Sequence, residues 1–341
     1  MSGAAHRSET CSAPDTLKVK RYKEKFMKIL WGLAAAAGVL LSAAVLEIYR
    51  ELHCFSITHY DVTSRKLRGA YEDIRIVFLS DLHNRVYGKH NRELLDAVRQ
   101  ERPDLILIGG DMLVGKPGAS YDLALDLVAR LTAFCPVYYA LGNHEGRMKV
   151  EPDYYGNAWP EYKKRLEKCG VIFLENTSEP VSVKGQQLVL SGLELPAYTY
   201  KKFRKAGISG SDIQRYLPPF QSDAVSSRPS RDGTGSAAKM AEDGSGSFFV
   251  LLAHNPAYVD ACLEWGADLI LSGHLHGGLV RIPGIGGVIT PQGFMFPKYS
   301  GEMTRTGDQT VIVSRGLGTH TVNIRLFNIP ELISIRLKKS L

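Results

Sequence analysis

The chain is poor in cysteine, and what it has is scattered. Five thiols occur in 341 residues, at Cys11, Cys54, Cys135, Cys169 and Cys262, odd in number and with no CxxC pair. That excludes a disulfide framework and a thiolate zinc site as organising features. Internal repeats are also missing. The formal charge of +7 is unevenly placed, with a basic run near one end. Lys18, Lys20, Arg21, Lys23, Lys25 and Lys28 have only Glu24 against them. Such a tail is weak ground for a nucleic-acid partner, and none is expected. Large apolar side chains are nearly absent from Ser222–Ser247, which is rich in Ser, Gly, Asp and Ala. A segment of that composition cannot bury enough surface to offset ordering, so it reads as a disordered insertion.

Apolar residues make up 44% of the chain and charged residues 23%, ordinary values for a globular protein with a substantial core. Ile29–Leu46 carries no charge over 18 residues. As a helix it would span roughly 27 Å, about one hydrocarbon core. Trp31 and Tyr49 lie near its ends, where aromatic rings favour the interface. The basic run before it assigns residues 1–28 to the cytoplasm and the remainder to the outside. A cleaved signal peptide, with Ser42-Ala43-Ala44 as its processing site, is the rival reading; the long basic flank favours a retained single-pass anchor in the cell membrane. Residues 1–17 are polar and expected to be unstructured, and 50–72 read as a connector containing a strand. The folded domain is expected over 73–341.

Within it, strand-length apolar runs alternate with helical patterns. Ile74–Leu79, Leu105–Ile108, Val137–Leu141, Val171–Leu174, Phe248–Ala253 and Leu269–Leu271 are the runs. Asn91–Gln100, Tyr121–Phe134 and Trp159–Cys169 have helical spacing. Runs apolar on both faces predict an α/β fold whose sheet is covered by helices. Thr310–Ser314, Val322–Phe327 and Leu332–Leu337 read as antiparallel strands of a second sheet.

Metal-binding residue types fall directly after these strands. Asp81 and His83 follow the first, Asp111 the second, Asn143 and His144 the third. His254 ends a later strand, and His274 with His276 follow the next. Sites in α/β sheets form at the carboxyl ends of strands. Any one of these fragments is common; the ordered set is not, because independent accidents would have to fall after every strand. Oxygen and nitrogen donors without a thiolate suit manganese, iron or zinc.

The order Asp81-x-His83, Gly110-Asp111, Gly142-Asn143-His144-Glu145, His254 and Gly273-His274-x-His276 resembles the signature of calcineurin-like metallophosphoesterases. Gly277-Gly278 and Ser314-Arg315-Gly316-Leu317-Gly318 resemble the membrane-attached bacterial branch, some of whose members cleave a UDP-diacylglucosamine pyrophosphate. Leu275 and Leu279 stand where that branch often has Thr and Gln. The resemblance implies a four-layer α/β/β/α sandwich holding two divalent ions, with manganese favoured. Asp81, His83 and His276 would hold the first ion, Asn143, His254 and His274 the second, and Asp111 both. A hydroxide activated by the pair would attack phosphorus. His144, beside a ligand, would serve as general acid. Glu145 is left with two readings, orienting His144 or facing solvent. Asn84 reads as a loop-satisfying amide and His320 as structural. The basic, aromatic Tyr198–Phe203 stretch with Arg204 and Lys205 reads as a solvated loop or as a guide for an anionic headgroup.

The expected activity is hydrolysis of a phosphomonoester, phosphodiester or pyrophosphate bond in a small molecule or a lipid-linked envelope substrate, at the membrane. A nuclease or protein phosphatase of the same superfamily, or an inactive metal-binding module, are the alternatives. The sequence names no protein partner.

Overall fold

The computed structural model describes residues 15–67, 72–218, 246–278, 280–282, 284–290, 293–319 and 323–340. Most of the expected insertion, along with His320 and Leu279, lies outside them. The chain divides into two compact units, one ending at Tyr49 and one beginning at Arg50.

The first unit is built on α1 (Asp15–His53). This helix is long and apolar enough to be a membrane span or a signal sequence. Over residues 19–43 its side chains are exposed, Trp31 at 71% and Leu40 at 72%. It takes in the whole basic run and also Asp15–Leu17, which had been expected to lack structure. The reason is local. From Asp15 to His53 there is no proline, and Lys, Leu, Glu and Ala predominate, all good helix formers.

The second unit begins with β1 (Ser56–Ser64), β2 (Ile74–Leu79), α2 (Arg92–Glu101), β3 (Leu105–Ile108), α3 (Asp122–Leu131) and β4 (Val137–Ala140). It continues through α4 (Asn143–Val150), α5 (Pro152–Tyr155), α6 (Ala158–Lys168), β5 (Ile172–Leu174), β6 (Thr177–Val183) and β7 (Gln186–Leu193). Then come α7 (Gly210–Tyr216), β8 (Phe248–Ala253), α8 (Val259–Trp265), β9 (Leu269–Ser272) and the short β10 (Arg281–Ile282) and β11 (Gly286–Gly287). β12 (Met303–Thr306), β13 (Gln309–Val313) and β14 (Glu331–Lys339) complete it.

Two six-stranded sheets form, in the orders β1-β14-β2-β3-β4-β5 and β12-β13-β9-β8-β7-β6. Alternation along each strand sends side chains to two different cores. Ile74, Ile76 and Phe78 meet Leu188, Phe248, Val250 and Leu271 between the sheets. Val77 and Leu79 face the other way, onto Leu94, Val98, Leu127 and Leu166 of α2, α3 and α6. On the far side of the second sheet, Leu251, Ile270 and Val311 pack on Ile213, Val259 and Cys262 of α7 and α8. The result is the four-layer α/β/β/α arrangement.

The C-terminal strands differ from expectation. β13 does join the second sheet, but parallel to β9. β14 crosses to the first sheet, antiparallel to β2 and parallel to β1. Of Val322–Phe327, the described part forms only an isolated bridge between Leu326 and Val280. Arg325 explains why. It is 1% exposed, and its guanidinium donates to the carbonyls of Arg315, Gly316, Gly318 and Asn328. A side chain used this way gathers a loop around itself instead of lying on a sheet. The β6–β7 hairpin, with its strand of buried Leu188 and Leu190, had not been foreseen.

β2, β3 and β4 run parallel, as do β7, β8 and β9. Their carboxyl ends therefore gather, and the loops leaving them carry the polar residues.

Candidate metal centre

The turns that follow β2, β3 and β9 hold their site residues in an unusual backbone state. Asp81, His83, Asp111, His274 and His276 all have φ between 48° and 68°. Non-glycine residues adopt that left-handed region uncommonly, and such strain concentrates at functional sites. The loops are also packed without slack. A Cβ on Gly142 would strike Asp111 Oδ1, and one on Gly273 would strike Ser80 Oγ and Asp81 Oδ2. Glycine at these two positions is what allows the chain to pass so close to the carboxylates.

The seven expected ligand residues come together. Asp81, His83 and His276 form one trio, with one donor atom from each within 4.8 Å of the others. Asp111, His254 and His274 form a second, and His83, Asp111 and His144 a third. Asn143 opens α4 and lines the same cavity as Asp111, His274 and His276. Its Oδ1 is buried and has no hydrogen-bond partner among the described residues.

Backbone contacts fix how the rings point. His254 Nδ1 lies 2.7 Å from the Gly109 carbonyl, and His276 Nδ1 lies 3.1 Å from that of Gly318. A carbonyl can only accept, so both Nδ1 atoms carry protons and each ring turns its Nε2 inward. His83 Nε2 and His276 Nε2 sit 3.2 Å apart. Asp81 accepts from Ser80 Oγ at 2.5 Å and from the His274 N–H at 3.0 Å. Asp111 Oδ1 accepts the His144 N–H at 2.8 Å, and its Oδ2 lies 3.2 Å from His254 Nε2.

Electrostatics in the bare cluster are divided. Burial, with Asp111 beside it, pushes Asp81 up to about 6. Asp111 is buried as well, yet the imidazoles of His254, His144 and His83 hold it well below the usual carboxylate range. Burial acts against a charged His254, but Asp111 and Asp81 raise it to about 10. Burial and His83 push His276 well below its ordinary value, leaving it a neutral donor. Buried carboxylates, imidazole Nε2 atoms turned inward and an unpartnered amide oxygen together fit divalent cations, and the lack of sulfur suits manganese, iron or zinc.

Residues 74–278, more than half of the chain, match the family model for calcineurin-like phosphoesterases. The chain belongs to that family. A Bacillus subtilis relative, uncharacterized metallophosphoesterase YkuE, is 24% identical over 328 residues, covering 94% of this chain and 99% of that protein. The Escherichia coli phosphodiesterase YaeI is 24% identical over 266 residues, covering 77% and 82%. Among solved structures, phosphopantetheinyl hydrolase from Mycobacterium tuberculosis aligns at TM-score 0.39 and 16% identity, covering 76% of this chain and 96% of that one. As a calcineurin-like phosphoesterase the protein is a metal-dependent phosphoric ester hydrolase, and the family works through a dimetal centre.

Several contributors to this phosphoesterase site were not read from the sequence. Glu145 neither orients His144 nor faces solvent. It is fully buried and accepts from the N–H groups of Asp111, Met112 and Gly142 and from Tyr139 Oη, at 2.8–3.1 Å. It thereby ties the Asp111 turn to the start of α4, although burial and Asp111 push its carboxyl up to about 7. Asn328 donates to the carbonyls of His276 and Gly278 at 2.7 and 2.5 Å, and its own N–H is accepted by Glu51 at 2.9 Å. Arg325 holds the Gly318 carbonyl at 2.6 Å, the same oxygen that takes the His276 proton. Glu145 sits in the Gly142–Glu145 motif but its role is not legible there, and no motif signals Arg325 or Asn328, since a lone Arg or Asn far along the chain looks like any other. Asn84 does satisfy a loop, donating to Ser120 O at 2.9 Å.

Beside the cluster lies a cavity of about 480 Å³. Val150, Leu195, Ala197 and Tyr200 line it together with Arg147 and Lys201. The Tyr200 ring meets the His274 ring edge to face, 5.1 Å between centroids.

Proposed function

We propose that this chain is a membrane-anchored dimetal phosphoesterase that cleaves a phosphodiester or pyrophosphate bond in a lipid-linked envelope substrate, such as a UDP-diacylglucosamine-like molecule. Its parts are a basic tail at 1–28, an anchor at 29–46 and a catalytic domain that takes in β1 of the 50–72 segment, expected to be a connector, as well as the chain from 73 onward. The observation that carries the reading is the cavity next to the ligand cluster, whose lining mixes apolar side chains such as Val150 and Leu195 with the cations Arg147, Lys201 and Lys202. That mixture suits an ester with a greasy part and an anionic part.

Asp81, His83 and His276 would hold one ion, Asn143, His254 and His274 the other, and Asp111 both, with manganese as the proposed metal. When bound, the pair supplies Lewis acidity and hydroxide near neutral pH. The chain's own part in proton transfer falls to His144. Its Nδ1 accepts the Gly115 N–H at 2.7 Å, so the neutral ring keeps its proton on Nε2. That nitrogen faces the cluster, 4.0 Å from Asp111 Oδ2, and gives its proton to the leaving oxygen. Arg147, whose Nη2 lies 3.4 Å from the same ring, is placed to meet a phosphoryl oxygen in the cavity.

With Mn²⁺, the full chain is expected to hydrolyse bis-p-nitrophenyl phosphate faster than the mono-ester, to lose this activity to EDTA, and to prefer a UDP-diacylglucosamine-type lipid over single-stranded DNA or a phosphopeptide. Preference for either of the last two moves the protein to the nuclease or phosphatase reading. Full metal loading without any hydrolysis leaves only a binding module.

The basic run ahead of the apolar stretch supports an extracytoplasmic catalytic domain. In intact cells, Ser226→Cys should therefore react with a membrane-impermeant maleimide and Ser12→Cys should not. The opposite labelling pattern would turn the domain to the cytoplasm and restore cytosolic substrates.

A further inference from the structure

The segment Lys201-Lys202-Phe203-Arg204-Lys205 leaves the 3-10 turn Ala197–Tyr200, whose Tyr200 lies against His274. All five residues are exposed, Phe203 at 76%. Among the described residues, none of the four cations makes a salt bridge, and only Lys205 lies near enough to a carboxylate, Asp260, to act on it through space. Lys298, close by, is by contrast paired with Asp260 at 2.8 Å. The Phe203 ring rests against Gly293, where a Cβ would overlap it. Two and three residues further on, Met295 is 65% exposed and Phe296 54%. Lys205 and Phe294 line one shallow cavity, which joins the two loops into a single surface. Lys201 and Lys202 reach round to the catalytic cavity as well.

Three large apolar side chains in water beside four cations that make no salt bridge among the described residues are unusual on a surface with no partner. Apolar groups that can sink among acyl chains, ringed by cations that stay at headgroup level, suit an anionic bilayer. A polynucleotide would use the cations and could stack on Phe203, but it offers nothing to Met295.

We infer that the Lys201–Lys205 loop, together with Met295 and Phe296, seats on an anionic lipid surface at the rim of the catalytic cavity. The inference rests on the reading of the chain as a membrane-attached esterase and adds where lipid meets the domain. Substrate would then enter the cavity from the bilayer side past Lys201 and Lys202.

The test uses the full chain in proteoliposomes, wild type against Phe203→Trp, with brominated acyl chains as the quencher. Trp31, in the apolar helix, reports insertion of the anchor. The emission gained by Phe203→Trp reports the loop. In phosphatidylglycerol vesicles that added emission is expected to fall by about half, as for a ring at the interface. It should be nearly unaffected in phosphatidylcholine, and K201Q/K202Q/R204Q/K205Q in the same background should abolish the quenching. Trp31 quenched while the added emission is not would overturn the docking surface and leave the anchor intact. The reverse pattern would remove the anchor and keep the surface. Quenching relieved by a single-stranded oligonucleotide would assign the loop to nucleic acid and reject the proposal. Hydrolysis of bis-p-nitrophenyl phosphate by the same vesicles reports the esterase separately.

Discussion

Asp111→Asn is expected to lower hydrolysis by at least about 10³-fold and to reduce bound metal from about two ions per chain to one or fewer, with the fold retained. The two oxygens of Asp111 have different surroundings. Oδ1 accepts the His144 N–H at the start of α4, a contact an amide oxygen can keep. Oδ2 lies among imidazoles, 3.2 Å from His254 Nε2 and 3.9 Å from His83 Nε2. An amide nitrogen placed there removes the negative charge. It also turns an N–H toward His254 Nε2, the atom that the Gly109 contact directs inward. Metal analysis of the purified variant by mass spectrometry, beside its turnover, checks this. Near-normal metal content with near-normal turnover would remove Asp111 from the centre.

His144→Gln should separate proton transfer from metal binding. Turnover on an ester with a poor alkoxide leaving group is expected to fall by roughly 10²–10⁴-fold while metal content holds. With p-nitrophenolate leaving, which needs no proton, the loss should be less than about tenfold. A ring that merely filled space would depress both substrates alike. Thermal unfolding controls for packing, because the Gly115 N–H loses an acceptor that is worth about 1–3 kcal/mol when buried. Equal losses on the two esters would reject the general-acid role.

Much of this arrangement was legible because the central strands are short, apolar on both faces and followed at once by their polar residues. The pattern around Ile74–Leu79, Leu105–Ile108 and Phe248–Ala253 carries direction as well as type, so the edge on which Asp81, Asp111 and His254 gather could be inferred. Pairing of distant strands was not legible. Leu332–Leu337 reads as a strand from its own alternation and was expected in the second sheet, but nothing in that segment says which sheet receives it, and the strand joins the first. The supports of the ligands were hidden for a related reason. Glu145, Arg325 and Asn328 act through backbone N–H and carbonyl groups of remote turns. Such contacts depend on where the turns lie in space, and every residue has the same backbone groups. Glu145 had the further disguise of following His144, which suggested a partner for the ring. Its helix instead aims it at the Asp111 turn.

The position of β14 has a consequence for how the chain is made. β1 pairs with β14, and β14 is also the neighbour that covers the outer edge of β2. During synthesis those two strands emerge early and wait. Until Glu331–Lys339 leaves the ribosome, β1 has no strand to pair with and β2 presents a row of unsatisfied N–H and carbonyl groups. Long-range pairing of this kind is slow and leaves sticky intermediates. A message truncated just before Glu331 would therefore encode every candidate ligand and the whole cavity, and still yield a chain whose first sheet stays open.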